Sequence, residues 1–162
     1  MAKIAIILGS DSDWPILESG FQLLKDFGLE TEVLVASAHR TPEIVREFVE
    51  SAKERGFAAI IAAAGLAAHL PGVVASFTTL PVIGVPISGG PLKGMDALLS
   101  IVQMPPGIPV AAMAIDGGKN AALFAASILA VNDKVLADKL TAFRLEQALA
   151  VAAKNKTLQD KL

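Results

Sequence analysis

Short unbroken apolar runs alternate with helical stripes along roughly the first 115 residues. Residues 4–8 are apolar throughout, as a strand covered on both faces must be. Gly9-Ser10-Asp11-Ser12-Asp13 ends that run. Asp13 as N-cap and Pro15 in the first turn predict a helix, and Gly28 stops it. Ile16, Leu17, Leu23, Leu24 and Phe27 form its apolar stripe. The cycle then repeats. Residues 31–36 are a predicted strand, Ser37-Ala38-His39-Arg40 a loop, and Thr41-Pro42 caps and opens a second helix. Ile44, Val45, Phe48, Val49 and Ala52 lie on one face of that helix, which Gly56 ends. Residues 57–63 predict a third strand, 64–72 a loop leading into a short helix, and 81–85 a fourth strand. A Gly/Pro-rich loop reaches to about Gly94, and it reads either as a lid or as a slack connection. Residues 96–104 read as helix, 110–115 as a fifth strand, and two helices complete the chain, the last over 134–153.

Continuously apolar strands alternating with helices imply a parallel sheet covered on both faces. Five such strands fit an α/β, three-layer, flavodoxin-like doubly wound sheet of order 2-1-3-4-5 with extra C-terminal helices. The expected organisation is one domain over residues 1–162, with a C-terminal helical extension from about 133 to 162.

Composition sharpens the picture. The chain is 53% apolar with a mean hydropathy of +0.56, yet its longest apolar run covers only residues 57–64. A bilayer span needs roughly 18 or more such residues, so no membrane helix is expected. Alanine supplies 28 of the 162 residues, and this surplus suggests that part of the surface meets other copies of the chain. A tightly packed alanine-rich monomer core is the alternative. Fourteen basic and sixteen acidic residues are spread without a basic face, which speaks against nucleic-acid binding. Lys154-Asn155-Lys156 reads as a solvated tail. With no cysteine, disulfides, thiolate catalysis and cysteine-held metals are excluded. The start of the chain lacks a signal-peptide plan and reads as cytoplasmic.

Doubly wound sheets bind ligands at the carboxyl ends of their strands, where strand order reverses. That rule selects three loops, at residues 9–13, 37–41 and 64–69. Ser10, Ser12 and Asp13 open a helix, so hydroxyls and helix N–H groups there could receive a phosphate or a ribose. The same residues also serve as ordinary caps. In Ser37-Ala38-His39-Arg40, Arg40 could pair with an anion and His39 could carry a proton near neutral pH. A plain surface turn remains the alternative. Gly65, Ala67 and Ala68 offer small side chains around one polar residue, His69, although a packed connection explains them equally well. His39 and His69 are the only histidines, and the loop order predicts that they converge. With no evident carboxylate partner, they make a poor metal set.

Together these segments resemble one family. Gly9-Ser10-x-Ser12-Asp13-Trp14, Ser37-Ala38-His39-Arg40-Thr41-Pro42, Ala67-Ala68-His69-Leu70-Pro71-Gly72 and Asp96-Ala97-Leu98-Leu99-Ser100-Ile101-Val102-Gln103-Met104-Pro105 are similar to N5-carboxyaminoimidazole ribonucleotide mutase, class I. Asn120-Ala121-Ala122-Leu123 also matches, and the resemblance runs from about Lys3 to Leu140. A class II branch carboxylates aminoimidazole ribonucleotide with free carbon dioxide. There lysine follows the second-motif histidine, and the third motif resembles Gly-Arg-Ser-Asn-Ala-Leu. Arg40 and Ala67-Ala68-His69-Leu70-Pro71 look like class I. Leu66 stands where class I members often have glycine, and the loop at Asp116-Gly117-Gly118-Lys119 looks about two residues shorter than in some relatives. Both departures bear on the shape of the pocket.

The resemblance implies a cofactor-free, metal-free mutase of purine biosynthesis acting on a small ribonucleotide. It implies His39 as catalytic acid and base. It also implies Ser10, Asp13 and Arg40 on the ribotide, with Ser12, Ser37 and Ala38 beside them. Gly65, Ala67 and His69 would line a pocket for released carbon dioxide. Homo-octamers with shared active sites are implied as well. A non-catalytic flavodoxin-like module is the remote alternative. A receiver, however, needs an aspartate at the end of strand three, where Ala63-Ala64-Gly65 stands. A flavin carrier favours a threonine-rich first loop and stacking aromatics, and this chain has no tyrosine and a single tryptophan.

Overall fold

The computed structural model describes residues 3–162, which divide into a unit running to Ala125 and a second unit, Ala126–Leu162. The first unit carries five parallel strands: β1 (Lys3–Leu8), β2 (Glu30–Val35), β3 (Phe57–Gly65), β4 (Val82–Ile87) and β5 (Ala111–Ala112). Their order is β2-β1-β3-β4-β5, as the alternation predicts. Between them lie α1 (Trp14–Asp26), α2 (Pro42–Ala52), α3 (Leu70–Ser76) and α4 (Met95–Val102), and α5 (Gly118–Ala130) contains the boundary between the units. That boundary falls upstream of residue 133.

The chain leaves β1 toward β2 and then returns past β1 to β3, β4 and β5. Right-handed crossovers therefore set α1 on the face opposite α2, α3 and α4. On the second face, Val45, Phe48 and Val49 of α2 and Leu70 and Val74 of α3 cluster with Ala5, Ile7, Ile60 and Ala62 of the sheet. Gly84 leaves room there for Ile101 of α4, whose side chain occupies the space a Cβ would need. On the other face α1 meets the start of α5 closely. A Cβ on Gly20 would stand 2.7 Å from the Gly118 carbonyl oxygen and 3.1 Å from Ala122 Cβ. Ala121, Ala122 and Ala125 are fully buried, which is one use of the alanine surplus. Ile4, Ile6, Ile7, Ile60 and Ile61 are also buried, each contributing about 1.5–3 kcal/mol over an exposed position.

Several local expectations need correction. Asp13 does not cap α1; a 3-10 turn over Asp11–Asp13 comes first, and Ser10 caps it. Thr41 makes no cap bond to α2, because its hydroxyl is already held by the Ser37 backbone. β4 continues through Pro86 to Ile87, since proline's φ suits extended backbone and the Pro86 carbonyl accepts from Asp116 N–H at 2.8 Å. β5 pairs only at Ala111–Ala112, against Ile83 and Gly84. Beyond it the chain turns at Asp116 (φ 58) and Gly117, whose N–H donates to Ala114.

The second unit holds α6 (Lys134–Gln159), capped by Asp133, whose side chain accepts from Leu136 N–H at 3.0 Å. Lys154-Asn155-Lys156 lies inside this helix, exposed, rather than in a tail. Alanine, leucine, lysine and glutamine are good helix formers and carry the helix past residue 153. Among the described residues, no helix is long and apolar enough to cross a membrane.

Candidate active site

The carboxyl ends of β1, β2, β3 and β4 surround a cavity of about 540 Å³. One side is polar: Ser10, Ser12 and Asp13 from the first loop, and Ser37, His39 and Arg40 from the second. The other is largely apolar, formed by Ala64, Gly65, Leu66, Ala68, Leu70 and Ile87. Space of this size, with few convergent polar groups, suits a small ligand.

The first loop is built by reciprocal bonds. Ser10 N–H donates to Asp13 Oδ2 at 3.2 Å, and Ser10 Oγ accepts from Ser12 N–H at 3.3 Å and from Ser12 Oγ at 2.8 Å. This capping box holds the hydroxyls and the carboxylate side by side. Asp13 is buried, and the loss of solvation pushes its carboxyl above its ordinary value. The bonds from Ser10 N–H and Ser12 partly offset that push, while Asp11 nearby adds to it.

The second loop is a turn organised by Ser37. Its Oγ accepts from both His39 N–H and Arg40 N–H at 3.3 Å. Thr41 Oγ1 accepts from Ser37 N–H at 2.9 Å and donates back to its carbonyl at 3.1 Å. Residues 39 and 40 are thereby carried on a fixed turn with exposed side chains at the cavity. Arg40 Nη2 donates to the Gly9 carbonyl at 3.3 Å, linking the two loops.

Eight of the ten residues singled out from the sequence line this cavity: Ser10, Ser12, Asp13, Ser37, Ala38, His39, Arg40 and Gly65. Ala67 and His69 do not, so the two histidines do not converge on it. Leu66 adopts a left-handed backbone (φ 54), and Ala68 N–H closes a turn onto Gly65 at 3.3 Å. The turn sends the next residues toward α4. There the Ala67 carbonyl accepts from Ser100 Oγ at 3.2 Å, and His69 Nδ1 lies 3.5 Å from the same hydroxyl. The His69 ring packs directly over Gly72.

Ile87, Ser88, Gly89 and Gly90 join the wall without having been singled out as site residues. Their signal was available: β4 neighbours β3, so the loop after β4 must open at the same sheet edge. The ambiguous Gly/Pro loop is a wall of the cavity. Among the described residues, no group of three or more His, Cys, Asp or Glu side chains is arranged to hold a metal.

This arrangement can grip an anionic, hydroxylated molecule by its polar side and enclose an apolar fragment on the other. The His39 imidazole stands at its edge. Comparisons with known proteins point the same way. The chain is 55% identical over 157 residues to an N5-carboxyaminoimidazole ribonucleotide mutase of Methanocaldococcus jannaschii, covering 97% of this chain and 98% of that one. It is 51% identical over 160 residues to the enzyme of the same name from Vibrio parahaemolyticus, covering 98% and 99%. The solved structure of Treponema denticola PurE superimposes with a TM-score of 0.87 at 31% identity, over 98% of this chain and 99% of that one. The family model described as AIR carboxylase matches residues 3–150, which includes every loop around the cavity. The chain therefore belongs to the AIR carboxylase family.

Proposed function

We propose that this chain is an N5-carboxyaminoimidazole ribonucleotide mutase of purine biosynthesis, an isomerase that moves a carboxylate from the exocyclic nitrogen of an imidazole ribonucleotide to its ring carbon. The observation that carries the reading is the two-sided cavity, with His39 and Arg40 facing an alanine- and leucine-lined wall. Relatives bearing that name match nearly the whole chain.

The chemistry fits these residues. Arg40 and the neighbouring helix N-termini suit the ribotide phosphate. Asp13 suits the ribose hydroxyls, with Ser10, Ser12, Ser37 and Ala38 beside them. Protonated His39 gives its proton to the carbamate nitrogen; the nitrogen–carbon bond breaks, its electrons stay on nitrogen, and carbon dioxide is released. The electron-rich ring carbon then attacks that carbon dioxide, forming the new carbon–carbon bond. His39 removes the ring-carbon proton and returns to its starting state. No other reactant is consumed. Carbon dioxide is uncharged, so the wall of Ala64, Gly65, Leu66 and Ala68 retains it without hydrogen-bonding it.

The same reading includes a homo-octamer with shared sites and a cytoplasmic location. Val131, Val135, Leu145, Leu149 and Val151 are each more than half exposed on this single chain, which supports burial against other copies. Sedimentation at micromolar concentration tests the assembly, and a monomer would refute it.

A bicarbonate-free assay with labelled carbamate ribotide tests the reaction. Label appearing on the ring carbon, and retained against excess unlabelled bicarbonate, is the expected result. Complete loss of label to the pool would favour a carboxylase using free carbon dioxide.

A further inference from the structure

The apolar wall has one element held from outside the cavity. Ser88 N–H donates to Asp116 Oδ1 at 2.7 Å, across 28 residues of sequence. Asp116 lies in the turn between β5 and α5, away from the cavity lining. Its own N–H donates to the Pro86 carbonyl at 2.8 Å, so it grips the end of β4 on both sides of Ile87. On the inner side, the Leu66 side chain fills the space that a Cβ on Gly90 would need, with Cδ2 2.6 Å from that position.

Both anchors are conformationally costly. Leu66 (φ 54) and Asp116 (φ 58) are two of three described non-glycine residues with positive φ. Such backbone persists where the surroundings over-determine it, and it concentrates at functional sites. Here the two strained residues bracket one segment, Ile87–Gly90, from opposite sides. The Pro86 bond uses only the Asp116 backbone, whereas the Ser88 bond uses its side chain.

We infer that Asp116 is a positioning residue for carboxyl transfer: by clamping Ser88 it holds the Ile87–Gly90 wall against Leu66 and keeps released carbon dioxide beside the ring. The inference rests on the mutase reading and adds a residue outside the cavity to it. Without the carboxylate the wall is fixed on one side only, and escape gains on recapture.

The test compares the unaltered chain with Asp116→Gly and Asp116→Asn, all given labelled carbamate ribotide in excess unlabelled bicarbonate. Glycine accommodates φ 58 and removes the acceptor, so the variant folds while losing the clamp; asparagine keeps Oδ1. Asp116→Gly should lose label several-fold faster and turn over about tenfold more slowly with KM nearly unchanged. Asp116→Asn should restore both values, and thermal unfolding of all three should be similar. Label retention and kcat in Asp116→Gly equal to those of the unaltered chain would overturn the inference. So would an Asp116→Asn variant as impaired as the glycine variant. If the unaltered chain makes no ring-carboxylated product, the mutase reading fails and the catalytic role falls with it. The clamp itself is then decided by hydrogen exchange at the Ser88 amide, which should accelerate in Asp116→Gly alone.

Discussion

Arg40 reaches across 31 residues of sequence to donate from Nη2 to the Gly9 carbonyl, at 3.3 Å. The bond ties the β2–α2 turn to the β1 loop, yet it occupies only part of a five-donor guanidinium. Arg40 therefore combines a structural tie with spare donors at the cavity edge. Arg40→Ala should raise KM for the ribotide by about 10- to 100-fold, the range for a charge-assisted hydrogen bond, with a smaller effect on kcat. Steady-state kinetics beside Arg40→Lys checks this, because lysine keeps the charge and loses the planar fork. An unchanged KM in both variants would remove Arg40 from the substrate.

His39 makes the opposite prediction. Its backbone is held by Ser37 Oγ, so the turn does not depend on the imidazole. His39→Asn should leave ribotide affinity near normal while kcat falls about 10²- to 10⁴-fold, as removal of a general acid–base group does. Binding measured by calorimetry and turnover measured in parallel would show that split. Near-normal turnover would refute the role.

Asp13 predicts a pH effect on stability. Burial raises its carboxyl above the ordinary 3.8, so the folded state holds this proton more tightly than the unfolded state does. The contribution is fully present below the unfolded value and is lost as pH rises through the folded one. Asp13→Asn does not titrate and can still accept from Ser10 N–H. Its stability relative to the unaltered chain should increase as pH rises from about 3.9 and then level off. Denaturant unfolding between acidic and neutral pH tests this, and a difference independent of pH would contradict it.

Gly20 tests the packing of α1 on α5. Alanine at an ordinary helix position gains about 1 kcal/mol over glycine. At residue 20 its Cβ would stand 2.7 Å from the Gly118 carbonyl oxygen, a backbone atom that cannot swing aside. Gly20→Ala should therefore destabilise by about 1–3 kcal/mol, and a stabilised variant would mean that the helices separate freely.

Leu66→Gly should separate stability from retention. Leucine at φ 54 carries strain of about 1–2 kcal/mol, and the residue is 55% exposed, so little burial is lost. Glycine recovers the strain, and its chain-entropy cost of roughly 0.5–1 kcal/mol offsets part of it. The variant should be as stable as the parent or slightly more so, yet leak more label to bicarbonate. Equal retention would show that the Leu66 side chain does not seal the wall.

Much of this molecule was legible without coordinates, for a local reason. Burial on both faces demands unbroken apolar strands such as residues 4–8, and a helix needs a stripe such as Val45, Phe48, Val49 and Ala52. These periodicities indicated five strands that fit the observed order, and the strand-end rule for doubly wound sheets gathered the first three loops. That topology selected the loops carrying Ser10, Ser12, Asp13, Ser37, His39 and Arg40, and the family resemblance singled those residues out within them; all six line the cavity. What pattern could not supply was the outcome of competition among nearby donors and acceptors. Whether Asp13 caps α1 or closes back on Ser10, and whether Thr41 caps α2 or locks Ser37, depends on turn geometry that several sequences satisfy. Tertiary structure also decided which loop residues face inward. Leu66 takes a left-handed backbone, which turns Ala67 and His69 toward Ser100 and leaves Leu66 against Gly90. The Asp116–Ser88 bond spans 28 residues and exists only because β4 and the turn after β5 end at the same sheet edge. Periodicity reports which residues must be buried, whereas contacts between distant turns are set by where the strands end.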